Sequence, residues 1–132
     1  MTLKLAEAKR IIDGAIAKAR ELKVQVSVAV CNHEGRLIAL NRMDGVPFVE
    51  CSREAIGKAI ASATWGVPSN RPEAWREHPV TDIVIGEAAS VVRSAGGLPI
   101  IRDNLIEGAC GVSGTNNDLQ DEECARAGPA AL

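Results

Sequence analysis

A chain of 132 residues, 46% hydrophobic and 24% charged, has the make-up of one folded domain over residues 1–132, with room for a real core and none for a second. A formal net charge of -2 supplies no electrostatic footprint for nucleic acid or an anionic membrane surface. Phe48, Trp65 and Trp75 are too few aromatics for base stacking, no apolar run approaches the roughly 20 residues of a membrane span, and Met1-Thr2-Leu3-Lys4 opens an amphipathic pattern rather than a signal peptide, so the expected location is the cytoplasm.

From Leu5 onward, Leu5, Ala8, Ile12, Ala15, Ala19 and Leu22 recur in steps of three and four, which predicts an amphipathic helix with Thr2 as its N-cap. Lys4, Lys9, Asp13, Lys18 and Glu21 form its solvated face. The period then switches to two, as Val24, Val26, Val28 and Val30 alternate with Gln25, Ser27, Ala29 and Cys31, so a strand follows. Asn32-His33-Glu34-Gly35 reads as a turn, and residues 36–42 return as the second strand of a hairpin closed by Met43-Asp44-Gly45.

Ser52 is placed to cap a second helix, whose stripe Ile56, Ala59, Ile60 and Ala63 runs to Trp65. Residues 66–79 are turn-rich, with Pro68, Pro72 and Pro79 and a short helix expected at 73–77; such a segment suits a lid, an insertion or a subunit contact. Residues 81–94 satisfy neither period, and a strand is expected at about 90–93. Residues 98–102 and 105–112 form a late hairpin around Asp103-Asn104. Asn117 then caps a terminal helix with Asp121, Glu122 and Glu123 in its first turn. Hairpin-linked strands require an antiparallel sheet, and helices at both ends of the chain can cover it, so the class is α+β.

Several motifs in order carry a resemblance. Arg42-Met43-Asp44-Gly45, Lys58-Ala59 in an Ala-rich helix, Gly96-Gly97-Leu98-Pro99-Ile100, Gly108-Ala109-Cys110-Gly111-Val112-Ser113-Gly114, Gln120-Asp121-Glu122 and Ala125-Arg126-Ala127-Gly128 together resemble the GlcG/HbpS family, which includes the C-terminal domain of PduO-type proteins. The resemblance implies a profilin-like α+β domain with a five-stranded antiparallel sheet flanked by helices. It also implies homo-oligomers, with some members binding haem and others placed among proteins that catabolise small organic acids.

The residues with chemistry are few. Haem needs an axial ligand, for which His33, His78 and Met43 are the first candidates, with Met1 and the cysteines also chemically competent; no C-x-x-C-H is present for covalent attachment. Cys31, Cys51, Cys110 and Cys124 show no metal-motif spacing and read as buried thiols, so no metal site is expected. Lys58 follows Glu54 by four residues and reads either as a helical ion pair worth about 0.2–0.5 kcal/mol or as a positive charge aimed with Arg42 at a ligand carboxylate. Arg42 and Asp44 read as ligand groups or as a turn-stabilising pair. Residues 111–114 lack the Lys-Ser or Lys-Thr of a phosphate loop, and the acidic helix start beyond them repels phosphate.

A site is therefore expected where Ser113 and Gly114 meet that helix, facing Arg42, Asp44 and Lys58. The leading expectation is a self-associating domain that binds a small molecule, haem or a small organic acid, with no nucleic acid or membrane partner. One alternative is a lyase or isomerase of a small carboxylate, with Lys58 and the Asp121/Glu122 pair doing acid–base work. The other is a structural assembly domain without a ligand.

Overall fold

The computed structural model describes residues 2–70 and 91–132. The first helix, α1, spans Leu5–Leu22, and its buried stripe is Ala8, Ile11, Ile12, Ala15, Ile16 and Ala19. Leu5, expected in the core, is exposed, and Leu3 is buried in its place. The reason lies at the helix start. Thr2 does not cap α1: its hydroxyl and the Leu3 amide both donate to the Glu107 carbonyl, which straps the chain to a distant strand. Lys4 occupies the cap position, and its amide donates to Glu7 Oε1 at 3.0 Å.

Strands β1 (Ser27–Asn32) and β2 (Leu37–Arg42) form the first hairpin, and β3 (Gly97–Arg102) and β4 (Leu105–Ser113) form the second. Asp103 and Asn104 both take positive φ, 53° and 64°, the conformation of a two-residue hairpin turn whose twist matches the strands. β1 pairs antiparallel with β4, Val28 facing Val112 and Val30 facing Cys110, so the sheet order is β2-β1-β4-β3. Among the described residues the sheet has four strands, where five were expected. Residues 91–93, which were to supply the fifth, are irregular, and the Val92 amide donates instead to the Gly57 carbonyl of the second helix.

That helix, α2, spans Glu50–Trp65 and opens ahead of Ser52, whose hydroxyl shares a 3.2 Å hydrogen bond with Ser27 rather than capping. Its buried set includes Cys51, Ala55, Lys58, Ala59, Ser62 and Ala63, while Ile56 and Ile60 of the expected stripe are half-buried. The cause is the floor under the helix. Gly97 and Gly111 face each other across β3 and β4, and a side chain on either would collide with α2 backbone, at the Lys58 carbonyl for one and the Ala55 carbonyl for the other. Helix backbone thus rests on sheet backbone, and small residues fill the contact.

The last helix, α3, spans Asp118–Ala127, with Asn117 as the N-cap accepting from the Leu119 amide at 2.9 Å. A single 3-10 turn, Pro129–Ala131, follows. α1 and α3 cover one face of the sheet around Val26, Val28, Val30, Ile100, Cys110 and Val112. α2 covers the other, around Cys31, Ala59, Ala63 and Ala109. Among the described residues no helix is long and apolar enough to cross a membrane. The expected helix at 73–77, the positions 81–90, His78 and Met1 lie outside the described residues.

Candidate functional site

Lys58 is fully buried, and its ammonium does not pair with Glu54 as the helical spacing suggested. Lys58 Nζ donates to the Val112 carbonyl at 3.0 Å and to Asp121 Oδ2 at 3.1 Å, while Asp121 Oδ1 accepts from the Thr115 amide at 3.1 Å. The pair joins α2 on one face of the sheet to α3 on the other. It passes the end of β3 at Gly96, where φ is 131° and a Cβ would lie 2.9 Å from the ammonium and 3.0 Å from the Asp121 side chain. Burial pushes the Asp121 carboxyl above its ordinary value, and the Lys58 charge and the Thr115 amide oppose that push. Glu122, the expected partner of Asp121, is turned to Arg126 at 2.9 Å.

The other expected residues divide between two places. Ser113 is buried at the end of β4, and its hydroxyl donates to Glu54 Oε2 at 2.8 Å, which explains why Glu54 leaves Lys58 alone. Gly114 follows with φ of 143°, and a Cβ there would lie 2.5 Å from the Gln25 carbonyl oxygen. Arg42 does not face Lys58: its guanidinium donates to the Phe48 carbonyl at 3.0 Å and the Val46 carbonyl at 2.8 Å, closing the loop that leads into α2. Asp44 sits exposed in that loop. The structure therefore brings Lys58, Asp121 and, through the neighbouring Val112, Ser113 to one corner, and leaves Arg42 and Asp44 outside it.

A second cluster was not anticipated. Arg102 Nε and Nη2 donate to Glu107 at 2.7 and 2.8 Å, and Nη1 and Nη2 reach Glu7 of α1. With Thr2, Lys4 and Asp103 these residues line a cleft of about 310 Å³ at the end of the sheet. Hydrogen bonds from Arg102 and from the Lys4 amide pull the Glu7 carboxyl down to about 2, and Arg102 likewise lowers Glu107; the two carboxylates, Glu107 first, raise the guanidinium. A signal existed, since Glu107 is a lone charge inside the apolar run of β4. A bulge hides its use, because the register steps from Ile100–Gly108 to Ile101–Ile106 and leaves Glu107 extra.

The candidate axial ligands differ sharply in access. His33, in the β1–β2 turn, keeps 49% of its side chain exposed, and its amide donates to Thr2 Oγ1, which places it beside the strap at the Arg102 end of the sheet. Met43 is half-buried, with its sulfur accepting from the Val26 amide at 3.4 Å. All four cysteines are buried free thiols, and burial raises Cys31 to about 12 and Cys124 to about 11. Among the described residues no group of three His, Cys, Asp or Glu side chains is placed to hold a metal ion.

Residues 3–130 match a family model described as haem degrading protein HbpS-like. An uncharacterised 15.0 kDa protein of the dhaT-dhaS intergenic region of Citrobacter freundii is 31% identical over 123 residues, covering 86% of this chain and 80% of that protein. A double mutant of Streptomyces reticuli HbpS superposes with a TM-score of 0.84 at 26% identity, covering 100% of this chain and 88% of that one. Klebsiella pneumoniae protein ORFY gives 0.84 at 24% identity over 99% of this chain and 90% of its own, a likeness of fold. A PduOC:haem complex gives 0.82 at 22% identity over 100% and 96%, again a likeness of fold.

Proposed function

The chain belongs to the HbpS-like family, and with that as premise we propose that it binds haem and works as a homo-oligomer. The observation that carries the reading is the family match itself, supported by a haem complex solved for a neighbour of the same fold. The donor set fits the group through one residue among those described. His33 holds an accessible imidazole, whereas the Met43 sulfur is engaged and the four cysteine thiols are buried. Bound haem iron supplies one-electron chemistry. The chain's own part is to present the His33 ring at a turn fixed by Asn32, whose Oδ1 accepts from the Glu34 amide at 2.9 Å and the Arg36 amide at 3.0 Å.

The enzyme alternative has less support. Lys58 and Asp121 are buried and bonded to each other, and Glu122 is occupied by Arg126, so the acid–base groups expected for that reading are not open to a small carboxylate. A haem titration followed by absorbance tests the leading reading. The expected result is a Soret shift at micromolar haem that weakens about tenfold or more in His33→Ala. No shift with the wild-type protein overturns haem binding, and an unchanged titration in the variant moves the ligand away from His33. Sizing chromatography of the same samples reads self-association, which a monomer at micromolar concentration contradicts.

A further inference from the structure

The segment from Gly114 to Asp121 leads from the end of β4 into the first turn of α3. Among the described residues its hydrogen bonds run largely within it: Thr115 Oγ1 donates to the Asn117 carbonyl at 2.6 Å, the Asn117 amide returns to Thr115 Oγ1 at 3.2 Å, the Leu119 amide goes to Asn117 Oδ1, and the Asp121 amide goes to the Asn117 carbonyl. It buries little apolar surface. Residues 116–119 are exposed, Leu119 at 66%, and the apolar anchors of α3, Cys124 and Ala125, come after Asp121. At its start Gly114 holds φ of 143°, and beside that residue a cleft of about 300 Å³ opens between residues 23–25, Gly45, Pro47 and residues 114–116.

What ties this unit to the far layer is Asp121 on the Lys58 ammonium, reached past Gly96. We infer that residues 114–121 form a flap hinged at Gly114 and latched by the Lys58–Asp121 pair through the gap at Gly96, so that unlatching bares the Lys58 amine to solvent. A buried ion pair suits a latch better than a brace. Its attraction is offset by the cost of desolvating both charges, so it adds little net stability while enforcing one geometry. The flap's local opening then requires less free energy than global unfolding, because few buried contacts go with it. This inference stands apart from haem binding, since it concerns a corner remote in sequence and in strand end from His33.

The test is amine labelling with acetic anhydride, read residue by residue by mass spectrometry, together with amide hydrogen exchange, on the full chain. In wild-type protein under urea below the unfolding midpoint, Lys58 acetylation and exchange of amides 115–121 rise together, ahead of exchange in α1 and β1. Asp121→Asn raises Lys58 acetylation roughly tenfold or more while β1 amides keep their protection. The double variant Lys58→Met with Asp121→Leu, which removes both charges at once, keeps the fold and exchanges amides 116–121 more slowly than Asp121→Asn does. Lys58 labelling and exchange that appear only with global unfolding overturn the flap. If Asp121→Asn does not fold, the wild-type urea series decides alone.

Discussion

Arg102 divides its charge between two partners. Four of its hydrogen bonds go to two carboxylates, one on α1 and one on its own hairpin, so it fastens the first turn of the chain to the far end of the sheet. Glu7 and Glu107 both titrate lower in the folded protein than in the unfolded chain, so the folded state binds fewer protons. The stability they contribute is complete above the ordinary carboxyl value of 4.5 and is lost as pH falls towards about 2, where Glu7 titrates. Urea midpoints measured across that window should fall steeply in wild-type protein and less steeply in Arg102→Met. Equal slopes would show that the cluster carries no linked protons. The sequence flags only Glu107, a lone charge in an apolar run, and does not name its partners, because Glu7 and Arg102 are 95 positions apart. Lys58 teaches the same point in reverse: its spacing from Glu54 was correct for a helical pair, but Glu54 found the Ser113 hydroxyl and Lys58 found Asp121.

At the level of elements, α2 keeps only half of its expected stripe. Ala59 and Ala63 are buried while the larger Ile56 and Ile60 are half-buried, because a helix lying on glycines meets the sheet through its smallest side chains. Ala55 and Ala59 make that contact, with Lys58 threaded beside them. Gly111→Ala should therefore be more costly than the roughly 1–3 kcal/mol of ordinary overpacking, since the added methyl meets helix backbone, which cannot rotate aside. Thermal unfolding checks this, and a midpoint equal to wild type would mean that α2 can lift from the sheet without cost. α1 and α3 were easier to read. α3 opens by a local rule, the Asn117 cap on Leu119, whereas α1 opens at Lys4 and not at the expected Thr2; both helices face an apolar layer.

For the whole molecule the decisive pairing is β1 with β4, which brings Ser27 opposite Ser113 and puts one strand of each hairpin at the centre of the sheet, with β2 and β3 at its edges. The first hairpin alone exposes one long edge and lacks the Cys110 and Val112 side of the core. A chain ending at Ala95 should accordingly show no cooperative thermal transition by circular dichroism, although it retains α1, the β1–β2 hairpin and α2. A sharp transition in that fragment would show that the two hairpins fold independently. The same non-local closure supplies both ends of the sheet with polar clusters: Arg102 with its two carboxylates at one end, and Lys58 with Asp121 near the other.

The sequence by itself determined the α+β class, α1 and α3, both hairpins and their turns, and the run of motifs that place the chain in the HbpS-like family, because each depends on near neighbours: a period, a cap, a two-residue turn. Only the tertiary structure decided that the sheet has four described strands in the order β2-β1-β4-β3, that α2 rests on Gly97 and Gly111, and that Lys58 belongs to Asp121 and Arg102 to Glu7 and Glu107. Those outcomes join residues far apart in the chain. A charge chooses its partner by where the packed layers leave it, and no local spacing records that choice.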